Sequence, residues 1–448
     1  MAQFVFDARI VDGDNGNPAA GTDATTLLIG IQEGELPAET FDYPITDGQF
    51  EAILEFRAFT EPTRIRVGIE GSTTELLTAP PQFVPWLSQG FMRVVTAPPS
   101  SCVPVGFNVM EAPRVRFGMV QSGTFALVAG GTTPSDVQLE FFDVLRWDSN
   151  TNTLDDLNEA LEPFGETRAA SIDETQILVL AAEAAPFVFD MADASNRRTV
   201  VELHRGAGPR SALVSVPGLG AMVIGGEAAD EAPQSGVSLV EPGGDVTSLE
   251  LSVPRSGPAA TALGTDVLVV GGNAESNAEI LFEGAPIGQP VAGVPDGVRE
   301  GGLLVGDGES RALWIGGTAD AATPRKDTVR FDSCPDTCMS GAGPQWERAR
   351  MNALQPAQST LVIGGDGSRL VDEVRWDGEN VEVAPLLLQL NDPRAGAGGI
   401  VLESGAFIVA GGRFSVPSSA WRSTRFRLRV CCASVSSPNS TARAARTR

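Results

Sequence analysis

The sequence predicts an all-β chain: a small β-sandwich followed by seven copies of one four-stranded unit. Two observations carry this. A short apolar run closed by paired glycines recurs along the chain, and two further marks keep step with it. The run is Phe125-Ala126-Leu127-Val128-Ala129-Gly130-Gly131 in its first copy. Later copies end in Val223-Ile224-Gly225-Gly226, Val269-Val270-Gly271-Gly272, Trp314-Ile315-Gly316-Gly317, Val362-Ile363-Gly364-Gly365 and Val409-Ala410-Gly411-Gly412. A degenerate copy reads Val179-Leu180-Ala181-Ala182. The first members stand at 130, 181, 225, 271, 316, 364 and 411, in steps of 44 to 51 residues. A fixed period of that size is the signature of stacked supersecondary units.

Upstream of each pair stands an arginine followed in most copies by small residues: Arg114, Arg168, Arg210, Arg255, Arg299, Arg350 and Arg394. Downstream, an apolar or aromatic residue meets an acid, as in Trp147-Asp148, Phe189-Asp190, Phe331-Asp332 and Trp376-Asp377. The seventh copy breaks this rule at Phe426-Arg427. The run before the glycines is apolar at every position, so both of its faces must be covered. Four-stranded antiparallel blades packed face to face provide that cover. The glycines permit positive φ and close backbone approach where the chain leaves this strand. The small residues after each arginine suit the innermost, most crowded strand. The acid after the aromatic suits the next turn, where aspartate bonds its own backbone.

These residues and their spacing resemble the Kelch repeat family over roughly residues 103–430, which implies a seven-bladed Kelch-type β-propeller. Trp-Asp dipeptides also mark WD40 repeats, but those need a Gly-His, and the single histidine, His204, follows Leu203.

Composition agrees. Fifty glycines and 31 prolines fit many short strands and turns. No apolar run reaches the ~18 residues of a membrane span. The formal net charge of −25 would repel a phosphate backbone, which argues against a nucleic-acid partner. Arginine supplies every basic residue but Lys326.

Residues 1–79 lack the repeat marks but alternate as strands around 4–11, 27–31, 50–56 and 64–69. They are read as the β-sandwich module. Their opening strand, the Asp12–Pro18 turn and Asp47-Gly48-Gln49-Phe50 resemble carboxypeptidase-regulatory-like modules. Asp12 and Asp14 are candidate calcium ligands, but no bidentate glutamate follows at the right distance, so an ordinary loop is the better reading. Residues 80–102, with Pro80-Pro81, Pro85 and Pro98-Pro99, read as a stiff linker.

Residues 103–109 then pose a problem. Elsewhere the residues before each arginine form the fourth strand of a preceding blade, and here no blade precedes. The last unit supplies an inner strand after Arg394, a second strand ending at Gly411-Gly412 and a third around residues 425–428, and then stops. The strand at 103–109 is therefore expected to complete the seventh blade. Such a closure removes exposed sheet edges.

The cysteines follow from that placement. Cys334 and Cys338 share the turn between third and fourth strands of the fifth unit. In the seventh unit the equivalent turn is cut, with Cys431-Cys432 on one side and Cys102 on the other. Candidate disulfides are thus Cys334–Cys338 and Cys102 with Cys431, against five free thiols. In the chain-entropy model the second would stabilise by roughly 5 kcal/mol and the first by roughly half that. Two thiols without further ligands do not make a zinc site. Bridges imply an oxidising compartment, so a secreted or bacterial cell-envelope location is expected, by way of a removed leader or a start further upstream. The alternative is cytoplasmic. Residues 431–448, rich in Ser, Ala and Arg, are expected to be disordered.

No catalytic constellation emerges. Copper radical oxidases share the Kelch propeller and need tyrosine, histidine and cysteine around the metal; the one tyrosine, Tyr43, lies outside the repeats. Sialidases need a tyrosine nucleophile, which the repeats lack. The arginine set remains, as a ring near one mouth of the axial channel. Each arginine either pairs with an acid or carbonyl of the framework or offers an anion-binding mouth to a carboxylated glycan or acidic peptide. The expected function is a monomeric, non-enzymatic binding or scaffold protein without cofactor, recognising a protein or glycan through loops. The alternative is a carbohydrate-modifying enzyme with carboxylates at the channel mouth.

Overall fold

A computed structural model describes residues 7–11, 23–33, 39–47, 63–71, 75–78, 82–84, 91–95, 102–104, 115–123, 125–132, 141–148, 153–156, 159–160, 165–182, 184–191, 198–204, 210–272, 278–294, 302–318, 325–346, 353, 355–356, 359–365, 368–377, 380–390, 395–401, 406–413 and 429–432. Among them the chain is all-β, with nine sheets and no helix.

Two sheets precede the repeats. One is antiparallel, with Glu39–Pro44, Ala24–Glu33, Thr63–Gly71 and Glu75–Thr78 in that order and Gln82–Val84 also paired to Thr63–Gly71. Leu27, Ile29 and Ile69 are buried in it. The other pairs Asp7–Val11 in parallel with Phe91–Val95. The proline-rich segment 80–102 thus contributes strands to both sheets. The expected strand at 50–56 and the acidic turn at Asp12 and Asp14 lie outside the described residues.

The repeats give seven antiparallel sheets, the first six with their strands in chain order. The first holds Gly118–Ser122, Phe125–Ala129, Phe141–Asp148 and Thr153–Asp156, with Glu159–Ala160 also on the third strand. The second holds Thr167–Ser171, Gln176–Ala181, Ala184–Asp190 and Arg198–Val200. Ala212–Val216, Gly220–Ile224, Gln234–Val240 and Val246–Arg255 form the third; Ala259–Leu263, Asp266–Val270, Ala278–Leu281 and Gln289–Val291 form the fourth. The fifth is Leu303–Gly306, Ala312–Ile315, Thr328–Asp332 and Met339–Ala342. Three strands of the sixth are described, Leu361–Ile363, Leu370–Asp377 and Asn380–Gln389. The seventh takes Ala395–Val401, Ala406–Arg413 and Arg429–Cys432 from the end of the chain, and its fourth strand is Cys102–Pro104. Its third strand therefore lies just beyond residues 425–428, which are outside the described residues.

The uniformly apolar second strands work as their composition requires. Alternate residues face opposite neighbours, because successive side chains of a strand project to opposite faces. In the fourth sheet Val267 and Val269 pack with Met222 and Ile224 of the third. Leu268 and Val270 pack with Ala312 and Trp314 of the fifth. The same division joins first to second sheet (Leu127 with Val179), second to third (Leu178 with Val223), fifth to sixth (Leu313 with Val362) and sixth to seventh (Leu361 with Phe407). The first strand of the seventh sheet, Ala395–Val401, runs against the first strand of the first, Gly118–Ser122. A Cβ added to Gly398 there would stand 2.7 Å from Cβ of Met119.

Five of the glycine pairs end these strands in left-handed backbone, whereas Gly411-Gly412 lies within the strand Ala406–Arg413. At Gly225 φ is +61°, and an added Cβ would lie 2.7 Å from the carbonyl oxygen of Arg255. The Gly226 N–H donates to that same oxygen at 2.9 Å. The degenerate copy escapes the requirement because its second and third strands are joined almost directly: Ala181 pairs with Ala184 across a register shift. The Ala182 N–H is satisfied by the carbonyl of Glu166 at 2.9 Å.

Candidate functional site

Antiparallel order places the start of each sheet's first strand, and with it Arg168, Arg210 and Arg255, at the same end as the second strand's end and the connection that follows it. That end is where sequence analysis puts a binding mouth. Of the seven arginines, Arg168, Arg210 and Arg255 are described; Arg114, Arg299, Arg350 and Arg394 lie outside the described residues.

Arg255 ends the fourth strand of the third sheet and is fully buried. Its Nε donates to Oε1 of Glu279, equally buried in the fourth sheet, at 2.8 Å. Its Nη1 donates to the carbonyl of Gly271 at 2.6 Å. The other carboxylate oxygen of Glu279 accepts from the Ser252 N–H at 2.7 Å. A Cβ at Gly288 would come within 2.4 Å of it, so the site is closed around the acid. A buried charge is tolerated when it is paired and hydrogen-bonded, and here the Glu279 carboxylate and the Gly271 carbonyl supply partners for Nε and Nη1 across a sheet-to-sheet boundary.

Arg168 reaches forward in the same manner. Its guanidinium donates to the carbonyl of Ser211 and, through Nη2, to Ser211 Oγ at 3.0 Å, linking second and third units. Burial pushes its pKa down from the usual arginine value, and the charge of Glu166 acts in the opposite direction.

Arg210 is the most open of the three, with its side chain 46% exposed. It holds left-handed backbone at φ +60°. Nη1 donates to Oε1 of Glu227 at 2.8 Å, and the hydroxyl of Ser256 donates to the same oxygen. The Arg210 carbonyl accepts from the Gly257 N–H at 2.9 Å. Glu227 is thus the junction of three segments: its own glycine connection, the start of its own inner strand, and the start of the next.

Arg168 and Arg255 therefore make framework contacts from one unit to the next, while the side chain of Arg210 pairs within its own unit. Sequence reasoning did not identify their partners. For Glu227 a signal existed: a polar residue follows the glycine pairs at Thr132, Glu227, Asn273, Thr318 and Asp366. For Glu279 none did, since nothing in Ala278-Glu279-Ile280-Leu281 distinguishes it from the other acids.

The cysteines divide into two sets. Cys334 and Cys338 form a disulfide in the turn between the third and fourth strands of the fifth sheet, and both are buried. Cys102 and Cys431 are Cα partners in the backbone register of the seventh sheet. His204 is half-buried beyond the fourth strand of the second sheet, and its backbone N–H donates to Ser238 Oγ at 2.8 Å. Tyr43 sits in the N-terminal antiparallel sheet opposite Leu27. Among the described residues no group of three or more His, Cys, Asp or Glu side chains could hold a metal ion.

The adjoining connections vary more than the sheets. The passage from second to third strand is a near-direct turn in the second unit, residues 225–233 in the third, 316–327 in the fifth and 414–428 in the seventh. Loops of unequal length mounted on sheets of equal design are the usual carriers of recognition.

No family model matches the chain, and no curated protein matches it. Among solved structures it is similar to one titled "Structure of YjhT", at 10% sequence identity and a TM-score of 0.41, covering 72% of this chain and 98% of that one. A likeness of that degree carries no functional argument.

Proposed function

We propose that residues 102–432 form a seven-bladed propeller of the Kelch type that binds a protein or glycan without transforming it, through the connections at the glycine-pair end. The observation that carries this reading is the use made of the arginines. Arg255 and Arg168 are engaged in unit-to-unit contacts, so the repeated polar positions build the frame and recognition passes to the unequal loops around them. Support for the propeller comes from the order of packing, in which each sheet lies against the next and the inner strand of the seventh runs beside that of the first. Fold by itself does not determine function, and the loops are the feature that speaks for binding.

The Cys334–Cys338 disulfide supports a place in the cell envelope or outside the cell, since such bonds persist in oxidising compartments. Among the described residues no helix is long and apolar enough to cross a membrane. The net charge of −25 favours neutral or cationic partners over nucleic acid. The full chain acts as a monomer in this reading.

The test is a glycan and peptide array probed with the full chain, followed by turnover assays on every ligand that binds. Retention of a ligand that is recovered unchanged is the expected result. Product released from any bound glycan would replace this reading with the carbohydrate-modifying one.

A further inference from the structure

We infer that Cys102 and Cys431 form a disulfide that welds the two ends of the repeat region together. This goes beyond the binding reading and does not rest on it. Three features of the backbone lead there.

First, the fourth strand of the seventh sheet comes from the far end of the region. Cys102–Pro104 pairs antiparallel with Arg429–Cys432, with Arg429 opposite Pro104, Val430 opposite Val103 and Cys431 opposite Cys102. Second, Pro104 fixes the hydrogen-bonding phase of that pairing. Proline has no N–H, so Arg429 and Pro104 cannot be a pair that exchanges two N–H···O bonds. Pairs alternate along an antiparallel ladder. Val430 and Val103 are therefore the hydrogen-bonded pair, and Cys431 and Cys102 the next non-hydrogen-bonded one. Third, directly opposed residues of that class have Cα atoms about 4.5 Å apart, within the roughly 4.4–6.8 Å that a disulfide spans. Cys432 follows on the other face of the strand, since faces alternate residue by residue. The register thus selects Cys431 from the adjacent pair.

In the bond-forming step each thiol loses its proton, one Sγ–Sγ bond forms, and two electrons pass to the disulfide of a thiol–disulfide oxidant, which leaves as the dithiol. The short hydrogen-bonded seam of three residue pairs then becomes covalent. It closes a chain segment of more than 300 residues, the class of loop for which a crosslink most restricts the unfolded chain.

The experiment uses the full chain equilibrated with oxidised and reduced glutathione, alkylated, unfolded and assayed for thiols. Of five cysteines two are held in Cys334–Cys338, leaving three. The expected count is one free thiol, with mass spectrometry of the unreduced digest showing the Cys102 peptide linked to that of Cys431. Cys432→Ser should lower the count to zero and keep the link; Cys431→Ser should abolish the link to position 431. The Cys102→Ser variant should melt lower than the oxidised parent by about 5 °C or more, and the difference should vanish when both are reduced. Three free thiols in the parent, or a link from Cys102 to Cys432, would overturn the assignment. Thiol count and linkage are both measured on the unmutated chain, so a variant that fails to fold does not weaken the test.

Discussion

Removing the guanidinium of Arg255 would leave the Glu279 carboxylate charged in a site with no exposure to water, where the Ser252 N–H still donates to it. Breaking one side of a buried pair is far more damaging than replacing both, because the surviving charge stays desolvated. Arg255→Met is therefore expected to destabilise the fold by about 3–5 kcal/mol. The double variant Arg255→Met with Glu279→Leu should recover most of that loss. Urea unfolding measures both, with an unchanged m-value showing that the unfolded state is the same. If the single variant lost less than about 1 kcal/mol, Arg255 would not be a framework residue. The same logic separates Arg210 from Arg255. With Arg210 half exposed and paired to Glu227, its ion pair belongs to the class worth about 0–1 kcal/mol.

The individual sheet owes its shape to the place where the second strand ends. Gly272 sits at φ +75°, and a Cβ there would approach Pro258 N to 2.7 Å and Ser256 O to 2.8 Å, both backbone atoms of the segment leading into the first strand of its own sheet, Ala259–Leu263. Gly264, in the hairpin between first and second strands of the same sheet, has φ +66° but open space around it. Gly264→Ala is expected to lose about 1 kcal/mol from the left-handed backbone alone. Gly272→Ala should lose that and about 1–3 kcal/mol more for the collision, as thermal and urea unfolding would both register. Equal losses at the two sites would mean that close approach is not the reason for the paired glycines. The degenerate copy at Ala181 and Ala182 already points the same way, since its near-direct connection removes the crowded passage. These features were legible in the sequence because they depend on local chemistry: an all-apolar strand, a glycine pair and a turn cysteine each declare themselves within a few residues. Contacts between sheets were not. The partner of Arg255 is one glutamate among 57 acids, and only packing brings it within reach; the partner of Arg168 is Ser211, whose carbonyl any residue could have supplied. The bounds of the third strand of the last sheet were harder to place, because its marks are lost at Phe426-Arg427, whereas its pairing with the segment at Cys102–Pro104 followed from the missing fourth strand.

At the scale of the whole molecule, a circular order of sheets has no free edge along its inner packing, whereas an open array has two. The seventh sheet is where such an order is closed or left open, and its fourth strand is three residues long. Covalent closure aside, the non-covalent contribution of that strand can be isolated by comparing two truncations under reducing conditions. One removes residues 1–101 and keeps Cys102–Pro104; the other removes residues 1–104. Both lose the N-terminal sheets, so any difference belongs to the seam. If the repeats close as proposed, the second truncation exposes the edge of Arg429–Cys432, freeing backbone groups that template non-native pairing. It should melt lower by several degrees and through a broadened transition, as the seventh sheet detaches before its neighbours in the manner of a linear array. The first truncation should retain a single cooperative transition. Hydrogen exchange would locate the change, with protection lost first at residues 406–413 and 429–432 and retained around 220–224 and 267–270. Identical melting of the two truncations would show that the repeat region holds together without its N-terminal strand, and the propeller would then have to be closed by packing alone.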